Sequence, residues 1–145
     1  MSEHYAQLHW DRKALPFTHE SYNTSLEAIA SGQNIAMATA NTAEHIDPEQ
    51  ALAMSLSSCH MLTFLALAAK KRLVVESYDD NPVAYVEQNE QGLFHVPKII
   101  LHPRVMFADK VKPEVLTSMH EKAHKHCFIS NSLNSEVLIE PEIEE

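Results

Sequence analysis

The alternation of apolar and polar positions divides the N-terminal third of the chain into short segments typical of β-strands. Large and polar residues alternate in three segments, Tyr5–Trp10, Tyr22–Ile29 and Ile35–Thr39. Ser31-Gly32-Gln33 separates the second segment from the third, as expected for a tight turn. The pattern therefore predicts three strands before the first helix.

A long apolar helix is predicted next. Asp47 at the N-cap, Pro48 at the first helical position and Gln50 three residues after the cap form a helix start, and the helix runs to about Lys71. Residues 51–69 form an uncharged run that is just long enough to span a bilayer, but serine, threonine and histidine side chains interrupt it. An apolar circumference must be covered on all sides, so we expect a homodimer with this helix at its centre; a closed monomeric core is the alternative.

The second half of the chain predicts two longer strands, a helix and a final strand. The strands cover Val74–Glu87 and Leu93–Phe107, are joined through residues 89–92, and should form a hairpin or lie adjacent in the sheet. Lys112-Pro113-Glu114 begins the second helix, whose core face includes Cys127. A turn over Ser130–Leu133 precedes the last strand, Glu136–Ile143. This order predicts an α+β fold with the helices packed on antiparallel sheet.

Length, composition and charge narrow the class of protein. With 145 residues, 45% of them hydrophobic and 21% charged, the chain fits one globular domain, residues 1–145. The net charge of −9 repels phosphate backbones and anionic lipids, so neither nucleic acid nor a membrane is an expected partner. The N-terminal residues lack the basic and apolar segments of a secretory signal, so the cytoplasm is the expected location.

The two cysteines, Cys59 and Cys127, point to thiol chemistry. Cytoplasmic thiols are kept reduced, so such a pair is more typical of catalysis, redox sensing or metal binding than of a permanent disulfide. Only a thiolate is nucleophilic, and Cys59, in the middle of an apolar helix, needs a nearby cation to lower its pKa. Two buried, inert thiols remain the alternative.

The histidines suggest a second hypothesis. His120-Glu121-Lys122-Ala123-His124 matches the HExxH pattern of helical zinc sites, and His126 and Cys127 offer further donors. Lys122 brings a positive charge into that segment, and no further ligand is recognisable downstream. We therefore expect His120 and His124 on a solvated helix face, without a metal. His60 lies about 100° around the helix from Cys59, so we expect it to be buried and hydrogen-bonded rather than paired with Cys59.

Several segments together resemble the OsmC/Ohr family, the osmotically inducible and organic hydroperoxide resistance proteins. The resemblance rests on Asp47-Pro48-Glu49 ten residues before Cys59, on Ser57-Ser58-Cys59-His60, on the apolar segment 64–69, and on Ala123-His124 before Cys127 and Asn131-Ser132-Leu133. It implies an intertwined homodimer in which antiparallel sheets wrap central helices, with a cysteine peroxidase site at the subunit interface. No cofactor is expected.

The resemblance also implies roles for individual residues. Cys59 matches the peroxidatic cysteine, Cys127 the resolving cysteine, and Glu49 the acidic residue that orients an activating arginine. The strand before Glu49 has no arginine, Thr39 being near that position, so Arg12 is the best candidate and Lys13 its neighbouring substitute. Phe128 stands where many members have proline.

The expected activity is reduction of organic hydroperoxides to alcohols, with an external dithiol as reductant. Apolar side chains near the two cysteines favour an organic peroxide over hydrogen peroxide: Met54, Leu56, Phe64 and Phe128. The alternatives are an OsmC-like redox sensor or small-ligand-binding protein with little catalytic activity, and a metal-binding protein that uses His120, His124 and Cys127.

Overall fold

A computed structural model describes residues 1–40 and 42–142, which form two compact units, 1–51 and 52–142. The described residues contain eight strands, two α-helices and one 3₁₀ turn. The elements are β1 (Gln7–His9), β2 (Ser25–Ala30), β3 (Gln33–Ala38), α1 (Pro48–Lys70), β4 (Val75–Asp79), β5 (Val83–Gln88), β6 (Phe94–Leu101), β7 (Arg104–Phe107), α2 (Pro113–His126), the 3₁₀ turn Ser130–Ser132 and β8 (Glu136–Ile139). The α+β fold class predicted from the sequence is confirmed.

The first unit contains a three-stranded antiparallel sheet in the order β1-β2-β3. Strands β2 and β3 are joined by Ser31 and Gly32, which both have positive φ, as a two-residue hairpin turn requires. The side chain of Trp10 donates from Nε1 to the carbonyl of Asn23 at 2.8 Å, and Asn23 donates from Nδ2 to the carbonyl of Asp11 at 2.9 Å. The segment after β1 is thereby tied to the start of β2.

Helix α1 begins as the sequence predicts. The amide of Gln50 donates to Oδ1 of Asp47 at 2.7 Å, and the amide of Asp47 donates to Oε1 of Gln50 at 2.9 Å. These two bonds form a reciprocal capping box. Among the described residues, this is the one helix long and apolar enough to cross a bilayer, a test of length and composition that the core helix of a soluble protein also passes.

Each of the two long strands predicted in the second half is broken by a proline. Asp80-Asn81-Pro82 separates β4 from β5, and His102-Pro103 separates β6 from β7. Proline lacks the amide proton of a ladder hydrogen bond, and Pro97 within β6 lies where the register with β5 shifts. Strands β5 and β6 form the predicted hairpin, whereas β4 pairs with β7 in a separate sheet. The prediction of two uninterrupted strands is therefore wrong.

Strand β8 pairs with β6 in parallel, which adds one parallel pair to the predicted antiparallel sheet. The connection between them passes through β7 and α2, which is long enough for the chain to return in the same direction. The predicted end of this strand at Ile143 lies outside the described residues.

Two apolar clusters lie in the 52–142 unit, and α1 contributes to both. Leu56 anchors the first cluster with strands β6 and β8, and Phe64 anchors the second with α2 and sheet β4-β7. The opposite face of α1 is open in the single chain: Met54 and Leu62 are 46% and 66% exposed. A single chain therefore leaves one face of α1 exposed, although the apolar sequence of this helix predicts burial on all sides.

Loss of the capping box tests how α1 is anchored. We expect Asp47→Ala to lower the free energy of unfolding by about 1 kcal/mol, because one amide at the helix start loses its acceptor. Chemical denaturation measures this change. Glu121→Ala, which removes an exposed carboxylate within α2, serves as the control and should change stability by less than about 0.5 kcal/mol; equal losses in the two variants would contradict the capping role.

Candidate active site

The two cysteines come from different helices and meet in the first apolar cluster. Cys59 lies in the middle of α1 and is half-buried, and Cys127 caps the C-terminus of α2 and is fully buried. Both are free thiols, and both side chains pack in the cluster formed by Leu56, Ile99 and Leu101. The prediction that Cys127 faces the core is confirmed. Residues far apart in the chain thus form one thiol pair.

Main-chain amides of the turn that follows α2 surround this pair. The main chain of Phe128 and Ile129 lies beside Cys59 and acts to lower the pKa of its thiol. The amide of Ser130 donates to Sγ of Cys127 at 3.4 Å. Thr63, one helical turn after Cys59, donates its hydroxyl to the Cys59 carbonyl at 2.8 Å. The sulfur atoms therefore face hydrogen-bond donors as well as apolar side chains.

These donors shift the pKa values of the two thiols in opposite directions. Burial raises the pKa of Cys59, but the neighbouring polar groups of Cys127, Ile129, Phe128 and Thr63 together outweigh that effect, so the pKa lies below its ordinary value. Burial and the hydrogen bond donated to Cys59 raise the pKa of Cys127 to about 11. Cys59 is therefore the better nucleophile, whereas Cys127 stays protonated.

The other two candidate site residues belong to the first unit. Arg12 is exposed and donates from Nη1 to the carbonyl of Leu15 at 2.9 Å. Glu49 is half-buried in the first turn of α1. The proposed action of these residues on Cys59 stays a prediction.

The apolar environment of Cys59 differs from the one predicted. Leu56 packs in the same cluster as both cysteines, as expected. Phe64 instead packs in the second cluster, with Ala68 and Met119. A residue five positions along a helix lies about 140° around it, so Phe64 points away from Cys59. Phe128 is 80% exposed, which leaves its side chain free of the core.

His60 and His120 form a buried pair, so the expectation of a solvated His120 is wrong. Their exposed fractions are 1% and 3%, and Nε2 of His60 lies 3.0 Å from Nδ1 of His120. The ring planes are 7° apart and the centroids 5.3 Å apart, so the rings meet edge to edge and share one proton. The prediction of a buried, hydrogen-bonded His60 is confirmed. This bond uses one ring nitrogen of each imidazole, and Nε2 of His120 is buried with no hydrogen-bond partner within the described residues.

This pairing removes the geometric basis of the HExxH hypothesis. Nδ1 of His120 is bonded to His60, and Nδ1 of His124 lies 3.1 Å from the hydroxyl of Ser130. Within residues 1–40 and 42–142, no three histidine, cysteine, aspartate or glutamate side chains are placed to hold a metal ion. The two motif histidines thus have separate protein partners.

Some features of the site were not predicted from the sequence. Thr63 follows Cys59 by four residues, so helical spacing could have placed it beside that cysteine. The amides of Phe128 and Ile129 carry no side-chain signal, and the pairing of His60 with His120 depends on how α1 and α2 pack. Sequence patterns within one helix do not contain that information.

Comparison with known proteins assigns the family. The family described as OsmC-like protein matches residues 41–142. This chain belongs to the OsmC-like family. No curated protein gives a significant match to it.

Solved structures support the same assignment. An OsmC-like protein of unknown function from Vibrio cholerae is 38% identical, with a TM-score of 0.91 over 98% of this chain and 100% of that chain. An organic hydroperoxide resistance protein from Elizabethkingia anophelis is 17% identical, with a TM-score of 0.76 over 99% and 98% of the two chains. Such a protein from Bacillus subtilis is 15% identical, with a TM-score of 0.73 over 97% and 98%. The OsmC-like fold is thus shared at low identity.

The histidine pair predicts a dependence of stability on pH. Burial lowers the pKa of His60 and of His120 to about 4, and the charges of His120 and His124 also lower that of His60. The unfolded chain therefore binds more protons than the folded chain between pH 4 and 6.5. We expect the free energy of unfolding to fall as pH falls through this range, by about 1.4 kcal/mol per pH unit for each histidine. Urea denaturation at pH 7, 6 and 5 measures it.

Variants separate this effect from the titration of carboxylates. His120→Gln should reduce the steepness of the decline by about 1.4 kcal/mol per pH unit, because one buried titrating group is removed. His126→Gln, at an exposed position of α2, should keep the wild-type slope. A wild-type slope in His120→Gln would contradict the account of the pair.

Proposed function

We propose that this OsmC-like protein is a cysteine-based peroxidase that reduces organic hydroperoxides to alcohols. The observation that carries the proposal is the thiol pair itself, in which a half-buried Cys59 of α1 and a fully buried Cys127 at the end of α2 pack in one apolar cluster. Similarity to organic hydroperoxide resistance proteins supports the substrate class. The identity to those proteins is low, so the proposal depends on the chemistry of the pair.

The proposed reaction has two steps within the protein. The Cys59 thiolate attacks one peroxide oxygen, the O–O bond breaks, and the alkoxide takes a proton to leave as alcohol, so that Cys59 becomes a sulfenic acid. The sulfur of Cys127 then attacks the sulfenic sulfur, hydroxide leaves with the proton of Cys127 as water, and a Cys59–Cys127 disulfide forms. An external dithiol reduces this disulfide by exchange and is itself oxidised. No bound cofactor is required.

The contact between the thiols supports the second step. Cys127 is buried in the cluster against which Cys59 packs, so the two side chains are neighbours before oxidation. Both sulfur atoms lie in one apolar cluster with Leu56, Ile99 and Leu101. An apolar surrounding suits the alkyl portion of an organic hydroperoxide better than it suits hydrogen peroxide.

The remaining parts of the proposal concern Arg12, Glu49, assembly and location. Arg12 would supply positive charge to the thiolate or the peroxide, and Glu49 would orient it through an ion pair. A homodimer would cover the open face of α1, on which Met54 and Leu62 are exposed. The cytoplasm provides the reducing environment that a dithiol-dependent enzyme needs.

A redox sensor with the same thiol pair is the second candidate. The exposed position of Arg12 and its bond to the carbonyl of Leu15 favour it, because a sensor needs oxidation of Cys59 but not rapid turnover. Continued consumption of peroxide in the presence of excess dithiol distinguishes an enzyme from a sensor that is oxidised once.

Cysteine variants test the proposed steps. We expect reduced wild-type protein to consume cumene hydroperoxide faster than hydrogen peroxide and to turn over with dithiothreitol. Cys59→Ser should lower the rate by more than about 100-fold, because the nucleophile is removed. Cys127→Ser should still consume the first equivalent and accumulate a sulfenic acid that dimedone traps, since the serine hydroxyl cannot form a disulfide. Stopped-flow thiol assays and intact mass measure these outcomes.

A neighbouring polar residue supplies the control. Ser58→Ala alters an exposed side chain next to Cys59 and should keep wild-type rates. Retained peroxide consumption by Cys59→Ser would contradict the assigned nucleophile. A stable disulfide without turnover in wild type would favour the sensor.

A further inference from the structure

The two residues of the thiol pair differ in their access to solvent. Cys127 has an exposed fraction of 0%, whereas Cys59 is half-buried. The residues that cover Cys127 belong to its own unit, where Leu56, Ile99 and Leu101 are themselves fully buried. A second subunit over the open face of α1 would narrow the approach to Cys59 and could not expose Cys127. A reagent from solvent therefore reaches the pair at Cys59.

Hydrogen bonds also hold Cys127 in its buried position. Its amide donates to the carbonyl of His124, and its Sγ accepts from the amide of Ser130, both at 3.4 Å. Its carbonyl accepts from the amide of Asn131 at 3.0 Å. The hydroxyl of Ser130 lies 3.1 Å from Nδ1 of His124, and the Asn131 side chain donates to the carbonyl of Lys125 at 3.1 Å. Movement of this cysteine to the surface would break several of these bonds together.

Reduction of a Cys59–Cys127 disulfide requires direct contact between a thiolate and one of the two sulfur atoms. The thiolate bonds to the sulfur that it attacks, and the other sulfur leaves. Attack on Cys127 would bring the thiolate into the apolar cluster, where it loses its hydration. Attack on the half-buried Cys59 avoids most of that cost. Burial therefore favours one of the two possible sites of attack.

We propose that the external dithiol attacks the sulfur of Cys59 and that Cys127 is the leaving group. This inference rests on the proposed Cys59–Cys127 disulfide. The first thiolate of the reductant bonds to Cys59, the S–S bond between the cysteines breaks, and Cys127 leaves with the electron pair. The amide of Ser130, which is directed at Sγ of Cys127, donates to that thiolate. The second thiol of the reductant then attacks the first as a thiolate and releases Cys59, so that two electrons and two protons pass from the dithiol to the pair.

The chemistry of the leaving group acts in the opposite direction. The pKa of Cys59 is lowered and burial raises that of Cys127 to about 11. A thiolate of lower pKa leaves faster, so Cys59 would be the better leaving group if both sulfur atoms were equally accessible. Access and leaving-group pKa thus predict different intermediates, and the intermediate shows which effect decides the reaction.

Mapping of a trapped mixed disulfide tests the proposal on the wild-type protein. Diamide forms the disulfide without peroxide, and 2-mercaptoethanol, a monothiol, then opens it but cannot complete the second exchange within one molecule. Acid stops the reaction at successive times, and peptic digestion at acid pH shows which cysteine carries the adduct. Extrapolated to zero time, we expect at least about tenfold more adduct on Cys59 than on Cys127, because only Cys59 is accessible.

The unfolded protein supplies the matched control. In concentrated guanidinium chloride both sulfur atoms are accessible, so the amounts of adduct on the two cysteines should agree within about threefold. More adduct on Cys127 than on Cys59 in the folded protein would overturn the proposal, as would equal amounts on both. The same preference for Cys59 in the folded and the unfolded protein would also overturn it, because burial would then not be the cause.

The peroxidase function and this inference fail in different ways. If wild type turns over cumene hydroperoxide but the adduct forms on Cys127, the site of attack is wrong and the function stands. If the adduct forms on Cys59 but wild type does not react with peroxide, the site of attack is right and the peroxidase proposal is wrong. If diamide forms no Cys59–Cys127 disulfide in the folded protein, this inference is wrong, and so is the second step of the proposed reaction.

Discussion

Burial of one face of α1 is the constraint on which the rest of the 52–142 unit depends. Leu56 and Phe64 lie two turns apart on that helix and anchor separate apolar clusters. Cys59 and His60 lie between them. The side that packs on β6 and β8 brings Cys59 to Cys127, and the side that packs on α2 brings His60 to His120. One packed helix thus positions both the reactive thiol and the neutral histidine pair.

The electrostatics of the thiol site follow from hydrogen bonding in an apolar setting. Burial alone would raise the pKa of both cysteines. Cys59 is the exception because neighbouring polar groups, including the main chain of the turn after α2, lower its pKa, whereas Cys127 is fully buried. The difference between two chemically identical side chains is therefore set by their polar neighbours, two of which are main-chain groups.

Local sequence signals predicted the elements well where they act within a single segment. The capping box at Asp47, the hairpin of β5 and β6 and the inward direction of Cys127 are of this kind. Pro82 and Pro103 lie at the breaks between strands, but the apolar residues around them favoured the prediction of two continuous strands. The contacts of His120 and of the Phe128 amide arise from packing between elements, which no periodicity within α2 specifies. The residues of the thiol pair were thus identifiable from the sequence, but not the donors that make them unequal.

Site-resolved alkylation of the reduced protein tests the central claim that Cys59 is the nucleophile and Cys127 its protonated partner. With a limiting amount of iodoacetamide at pH 7, peptide mapping gives the relative rates at the two cysteines in one sample. The raised pKa of Cys127, about 11, and its complete burial predict that Cys59 is modified at least about tenfold faster. Faster modification of Cys127, or equal rates at both cysteines in the folded protein, would contradict the account.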